Sequence, residues 1–404
     1  MTAALEGLRV VELGGYAAGP VVGKYLGNYG AEVIRLESRT RLDGFRTHYP
    51  PYKDNVPGVD RAGIFNFFND GKRSVTLNLK TERGLDLARQ IIDRADVVVE
   101  NFTPGTMNRL GLGHDVLRQR NPRLVMLSTC NQGQSGPRAT QPGFGTHLTG
   151  LSGFTQLLGQ PDRTPVLLYG PYVDYVAVGY GAAAVLAALV RRRLTGTGAY
   201  IDLSQYESGL QFLTPALLDF WVNGRVATRN GNRHPSACPH GVFPCRGVDR
   251  WVAFSIWDDA EWERFGRAVG APDWACKPVY ATLLGRKAHE DQLEQEVADW
   301  TRSQDREEVV ELLCGHGLRA SAVSSMQDLF ADPCLRARGA WQAVDHPVLG
   351  RVHVAAPPFL LCETPPRFPR AAPLLGADTA TVLHELLGLQ AEEIESLERA
   401  GVLT

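Results

Sequence analysis

The sequence predicts an α/β protein in two lobes, a large one on a mostly parallel, doubly wound sheet and a smaller α+β one. Three observations carry this. Short apolar runs alternate with helix-patterned stretches through the first half, the signature of successive β–α units. The 404 residues exceed what a single hydrophobic core usually organises. A segment rich in Gly, Asn, Pro and His, Asn230 to Pro244, then breaks the pattern.

The chain opens with the apolar run Leu8 to Leu13, a turn at Gly14-Gly15, a helix from Pro20 and a second run, Val33 to Leu36. Proline suits a first helical turn, where its missing N–H has no intrahelical partner to lose. Strands are expected at Ser74 to Leu79, Asp96 to Glu100 and Arg123 to Thr129. Between the first two, Leu85, Ala88, Ile91 and Ile92 share one side of a helix from Glu82 to Arg94. From Tyr175 to Val190 the chain is apolar on every face, as a helix enclosed between layers would be. Arg191 to Arg193 suit its C-terminal end, where the helix dipole is negative.

The turn Thr195-Gly196-Thr197-Gly198 leads into a strand, Tyr200 to Leu203, and an amphipathic helix runs from Ser204 towards Trp221. A strand at Trp251 to Ile256 and helices at Asp259 to Val269 and Glu290 to Arg302 form the small lobe. The expected segments are 1–227 for the large lobe, 228–325 for the small one, and 326–404 for a return. That return carries a strand near Val352 to Ala355 and a helix from Thr379.

Composition narrows the function. The 42 basic and 44 acidic residues nearly cancel, and no basic run interleaves with aromatics, so neither a nucleic acid nor a membrane is the expected partner. A small-molecule substrate is. Seven cysteines, odd in number and without a CxxC pair, point to reduced thiols in the cytoplasm and to no metal site. The first residues lack a signal-peptide pattern, and the apolar core Val176 to Val190 is short for a bilayer.

Gly14-Gly15-Tyr16-Ala17-Ala18-Gly19 follows a strand, opens a helix and is trailed by Glu37, the setting of a dinucleotide fingerprint. Its glycines are adjacent, though, and lack the GxGxxG spacing that lets backbone approach a pyrophosphate. The segment reads as a tight turn in a Rossmann-like sheet, and a nicotinamide dehydrogenase as an outside option.

Longer strings carry a resemblance: Gly30-Ala31-Glu32-Val33-Ile34-Arg35-Leu36-Glu37, then Lys72-Arg73-Ser74 with Leu77-Asn78-Leu79-Lys80-Thr81, then Val99-Glu100-Asn101-Phe102-Thr103-Pro104-Gly105, then Arg109-Leu110-Gly111. In this order the chain resembles the family III CoA transferases, a group that includes formyl-CoA transferase, carnitine CoA transferases and α-methylacyl-CoA racemase. The resemblance runs from Leu8 to about Ser208, with an echo at Gly231 to Pro244.

The resemblance implies CoA transfer between carboxylic acids, with acyl-CoA as substrate and no permanently bound cofactor. It also implies an interlocked dimer, either of one chain or of two paralogous subunits. The family nucleophile is an aspartate some twenty residues before a Thr-Gly-x-Gly turn, at the head of an apolar helix, and Asp174 matches it. Read from the residues alone, the same aspartate serves as a helix N-cap; the helix N-terminus would also keep it ionised. Gly231, by its backbone, and Asn232 are the candidate oxyanion donors, against an interlobe linker as the plainer reading. The resemblance assigns CoA contacts to Tyr16 and Ala17 by backbone, to Leu77 and Lys80 at the adenine end, and to Asn101, Phe102 and Arg109 along the nucleotide and pantetheine path. Ser38 stands where some relatives have a CoA-contacting arginine, with Arg39 beside it as the substitute.

His147, His234 and His240 read first as structural histidines. The racemase branch needs a second base where this chain has Phe144, which takes no proton. A non-catalytic subunit of a heteromer is the other alternative, and retention of Asp174 argues against it. Gln132-Gly133-Gln134-Ser135-Gly136-Pro137 and Leu167-Leu168-Tyr169-Gly170-Pro171 look most like members that use succinyl-CoA to activate aromatic or branched acids, such as succinyl-CoA:benzylsuccinate CoA transferase.

Overall fold

The structure is a computed structural model that describes residues 2–404. Its elements are, in order, β1 (Arg9–Leu13), α1 (Ala18–Asn28), β2 (Glu32–Glu37), α2 (Gly44–Thr47), α3 (Gly63–Asn69), β3 (Arg73–Thr76), α4 (Glu82–Ile92), β4 (Val97–Glu100), α5 (Thr106–Arg109), α6 (His114–Arg120), β5 (Val125–Cys130), α7 (Gly145–Leu151), α8 (Phe154–Leu157), α9 (Tyr172–Thr195), β6 (Ala199–Ser204), α10 (Gln205–Leu210) and α11 (Thr214–Asn223). There follow β7 (His240–Pro244), β8 (Trp251–Ser255), α12 (Asp259–Ala268), α13 (Leu283–Ala288), α14 (Glu290–Arg302), α15 (Arg306–Gly315), β9 (Arg319–Ala322), α16 (Met326–Ala331), α17 (Pro333–Ala337), β10 (Trp341–His346), β11 (Gly350–Ala355), α18 (Thr379–Leu387) and α19 (Ala391–Arg399).

Six strands form one parallel sheet in the order β3-β2-β1-β4-β5-β6. This is the doubly wound order in which the chain reverses direction across the sheet between β1 and β4. Strands buried on both faces read as continuous apolar runs, and Val97 to Val99 and Val125 to Leu127 are all fully buried. One face is covered by α4 and the C-terminal helices, around Leu87, Ile91, Val382 and Leu383. The other packs against α1 and α9, around Val22, Val99, Leu127, Val178 and Val185.

Helix α9 departs from the expectation of burial on every face. Val173, Ala177, Val178, Gly181, Val185 and Ala188 are buried, whereas Tyr175, Tyr180, Leu186, Val190 and Leu194 are exposed. The α/β layering covers one side of a helix, and among the described residues these side chains on the other side remain exposed. The helix also runs to 24 residues, longer than its apolar core and, with its composition, enough to cross a bilayer. Its packing on α1, β5 and β6 places it instead as a layer of the large unit. The segment towards Trp221 likewise differs from the amphipathic helix expected. It breaks into α10, a short tight turn and α11, and α11 buries none of its residues.

The chain divides into two compact units, 1–155 with 167–226 and 334–404, and 156–166 with 227–333. Against the sequence expectation of 228–325, the smaller unit also takes in the excursion 156–166, which no composition shift marks. It holds an antiparallel sheet, β7-β8-β9, around Phe243, Val252, Phe254, Phe265, Tyr280, Leu293 and Leu313.

The return segment closes the large unit at β3. Ser74 donates its N–H to Asp378 Oδ2 at 2.8 Å, Thr76 to Thr379 Oγ1 at 3.0 Å, and Asn78 to the carbonyl of Val402 at 2.8 Å.

Candidate active site

In an open parallel sheet, ligands bind beyond the carboxyl ends of the strands, at the point where the strand order reverses. Here that edge carries Gly14 to Ala17 after β1, Arg39 after β2, Leu77 and Lys80 after β3, and Asn101 and Phe102 after β4. Arg109 ends the short helix α5 that follows. Residues matched only by resemblance thus collect at one edge, because in this topology every loop that follows a strand emerges there.

The turn after β1 is clamped from two sides. Asn101 Nδ2 donates to the carbonyl of Gly15 at 2.7 Å, and Gly15 N–H donates back to Asn101 Oδ1 at 3.0 Å. Gly14 has φ +115°, and a Cβ on it would collide with Asn101 Oδ1, so this position requires glycine. Opposite, Asp43 Oδ1 accepts the N–H groups of Tyr16 at 3.1 Å and Phe45 at 2.9 Å. Tyr16 itself has φ 60°, a left-handed conformation unfavourable for an aromatic residue.

Beneath the turn lies a charge network that sequence reasoning missed. Arg35 is fully buried and donates to Glu12, to the Gly14 carbonyl at 2.9 Å and to Asp43 Oδ2 at 2.5 Å. Lys72 donates to Glu12 at 2.8 Å and to the Pro20 carbonyl at 2.7 Å. Burial lowers the Lys72 ammonium to about 8 despite Glu12. Burial pushes Glu37 up, but the guanidinium groups of Arg46 and Arg35 reverse this and hold it at about 2. The signal was present: Glu12 and Arg35 each interrupt an apolar run, and buried charges persist only when paired.

Asp174 lies in the first turn of α9, three residues beyond the N-cap position held by Pro171; the N-cap reading is therefore corrected. Its Oδ1 is shielded from solvent and has no hydrogen-bond partner. Against it lies Gly145, the first residue of α7: a Cβ there would stand 2.5 Å from Asp174 Oδ1 and 2.7 Å from its Cγ. Asn131, after β5, holds this stretch through Nδ2 and the Gly143 carbonyl at 2.9 Å. Burial pushes the Asp174 carboxyl up to about 7. This runs against the expectation that the helix N-terminus keeps it ionised, because desolvation opposes a first-turn dipole effect of at most about 2 kcal/mol. Neighbouring Tyr175 is pushed up to about 12 by burial and by Asp174. It lines a cavity of about 320 Å³ with Val21, Tyr25, Phe67, Phe68 and Val178.

Ala17 is buried under the turn. Leu77 is fully buried in the core, which leaves only its backbone to meet a ligand. Lys80, Arg39 and Arg109 are exposed, and Arg109 donates to Thr106 Oγ1 at 2.8 Å. Phe102 packs on the core, and its N–H donates to Glu100 at 2.8 Å; burial pushes that carboxyl up to about 7.

Gly231 and Asn232 belong to the smaller unit, where they line a cavity of about 630 Å³ with His240, Ser255 and Arg319. The Gly231 amide is already donated to the Gly159 carbonyl at 2.9 Å, which corrects the expectation that it serves as a free oxyanion donor. The excursion 156–166 supplies that partner, and its fold could not be read from sequence. Asn232 is exposed and its carbonyl meets His240 Nδ1. His147 accepts the Phe144 N–H at 3.2 Å across the start of α7, and His234 accepts the Ser236 N–H at 3.1 Å.

Residues 5–379 match the model of CoA-transferase family III. The chain is 34% identical over its whole length to the succinyl-CoA–L-malate CoA-transferase beta subunit of Chloroflexus aurantiacus, covering 98% of that protein. It is 32% identical to the succinate–glutarate CoA-transferase of Agrobacterium fabrum, over 95% of each. To the succinyl-CoA:mesaconate CoA-transferase of Haloarcula hispanica it is 33% identical, over 97% of this chain and 99% of the other. A CAIB/BAIF family protein from Brucella suis superposes with a TM-score of 0.87 at 29% identity, covering 96% of this chain and all of that one.

Proposed function

The chain belongs to CoA-transferase family III, and from that premise we propose that it moves CoA from succinyl-CoA to a short aliphatic dicarboxylic acid through covalent intermediates on Asp174. That it is a CoA transferase follows from the family and from relatives matched along the whole chain. The donor and acceptor rest on the names of those relatives, which pair succinate with malate, glutarate or mesaconate. These names point to aliphatic diacids, where the resemblance pointed to aromatic or branched acids.

The observation that carries the mechanism is the buried, unpartnered Oδ1 of Asp174. A carboxylate oxygen shielded from water and without a hydrogen-bond partner is a stronger nucleophile than a solvated one. It attacks the donor thioester carbonyl and expels CoA thiolate, leaving a mixed anhydride. The thiolate attacks the aspartyl carbonyl and releases the donor acid, leaving an aspartyl-CoA thioester. The acceptor carboxylate attacks this thioester and expels CoA thiolate again. The thiolate then takes the acceptor acyl group and restores the Asp174 carboxylate. No step consumes water, so the activated bond is conserved.

Assembly with a second copy or a paralogous subunit belongs to the same proposal. The exposed apolar face of α9 and the uncovered α11 support it, as does a relative named as one subunit of a transferase. Seven free cysteines support a reducing, cytoplasmic setting. The test is incubation with succinyl-CoA and no acceptor, followed by hydroxylamine: a hydroxamate at residue 174, absent in Asp174→Ala, is expected. An active enzyme that yields no adduct would rule out the covalent route.

A further inference from the structure

The contacts of Asp43 extend beyond its own turn. One oxygen is held by Arg35 at 2.5 Å, and the other accepts the Tyr16 N–H at 3.1 Å. Arg35 is in turn fixed by Glu12 and reaches the Gly14 carbonyl at 2.9 Å, so a single guanidinium grips both flanks of the turn. A left-handed non-glycine residue costs on the order of 1–3 kcal/mol and persists only where its surroundings enforce it. The Tyr16 ring then meets Phe45, Tyr49 and Phe144 edge-on, at centroid distances of 5.4, 6.0 and 5.8 Å. Phe144 immediately precedes Gly145, which faces the Asp174 carboxyl.

We propose that Arg35 and Asp43 are positioning residues for CoA transfer: they hold Tyr16 in its left-handed conformation, so that the turn after β1 is preset for the CoA moiety. The proposal rests on the transferase reading above. Neither residue need touch substrate. Their effect passes through the backbone of Gly14 to Tyr16; Asp43→Asn keeps an oxygen to accept the Tyr16 N–H but turns an N–H donor towards Arg35, which uncouples the guanidinium from the turn.

The measurement is CoA affinity by titration calorimetry, with KM values for acyl-CoA and for the acceptor acid, in Asp43→Asn. Loss of a charge-assisted hydrogen bond predicts a rise of about tenfold or more in acyl-CoA KM and CoA dissociation constant, with acceptor KM unchanged. Glycine adopts the left-handed conformation without strain. The Asp43→Asn change should therefore cost much less CoA affinity in a Tyr16→Gly background than in the parent. Arg35→Lys, which keeps the buried charge but cannot fork between Gly14 and Asp43, replaces Asp43→Asn if that variant folds poorly. Acyl-CoA KM unchanged in the folded variants, or equal losses in both backgrounds, would overturn the proposal. Parent protein that neither binds CoA nor transfers it would sink the transferase reading instead.

Discussion

Gly145 and Asp174 are in such close approach that no side chain fits between them: the first Cβ would fall 2.5 Å from the carboxylate oxygen. Gly145→Ala, whose Cβ would also stand 2.3 Å from Pro171 Cβ, must therefore displace α7 or the start of α9 that carries the carboxyl. Turnover should fall about a hundredfold, as expected for a misplacement near 1 Å, with CoA affinity changed far less. Steady-state kinetics beside a CoA isotherm checks this; a variant with near-parental turnover would show that the carboxyl need not occupy this niche.

The Asp174 carboxyl, pushed up to about 7 by burial, gives activity a specific pH dependence. Only the ionised form attacks, so kcat/KM should drop tenfold per unit as pH falls below about 7, whereas an ordinary aspartate would place that limb near 4. The kcat/KM profile between pH 5 and 9 reads it directly.

The same shift has a stability consequence of opposite sense. The folded-state value exceeds the unfolded one, so the folded chain holds this proton more tightly and loses stability as pH rises from about 4 to about 7. Asp174→Asn removes that penalty. It should be more stable than the parent at pH 8, by at most about 4 kcal/mol, and the gap should close towards pH 4. Paired thermal melts at the two pH values supply the comparison, and a gap that does not narrow on acidification would count against the buried carboxyl.

Lys80 and Arg109 are exposed beyond β3 and β4 and are suited to phosphate groups. Each alanine variant should weaken acyl-CoA binding by about 1–3 kcal/mol, the range for a charge-assisted hydrogen bond. The loss should appear in KM and shrink with added salt. A fall in kcat alone would mean the residues act elsewhere.

On α9, Leu186 is exposed amid an apolar stripe. If a second subunit covers this face, Leu186→Glu should shift the sedimenting species from dimer to monomer while the secondary structure persists. Parental protein that already sediments as a monomer would remove the case for an interlocked assembly.

Much of the large unit could be read from its residues because parallel strands must be apolar on both faces. Val97 to Val99 therefore announced β4 without ambiguity. Asp174 could be identified only through resemblance, since an aspartate at the head of an apolar helix also describes a cap. The Asp43 clamp was invisible for another reason: its partners Tyr16 and Arg35 are 27 and 8 residues away, and nothing local distinguishes Asp43 from a surface turn residue. The Gly231 amide was misjudged because its acceptor, the Gly159 carbonyl, arrives in an excursion 72 residues earlier in the chain. For α9, the apolar pattern was right about composition and silent about which face packs on the sheet and which stays exposed.

The closure of β3 by the return segment makes the large unit depend on contacts far apart in sequence. The strand at one edge of the sheet takes partners from residues 378, 379 and 402, roughly 300 positions downstream. Loop closure over such spans is slow and entropically unfavourable. The smaller unit, whose sheet closes over 240–322, can collapse on its own contacts first, shortening the effective tether between the two parts of the large unit. Until the return segment arrives, β3 presents an open edge of the kind that recruits other chains. The vulnerable species is then a chain whose large unit still lacks the return segment and, with it, the core side chains Val382 and Leu383.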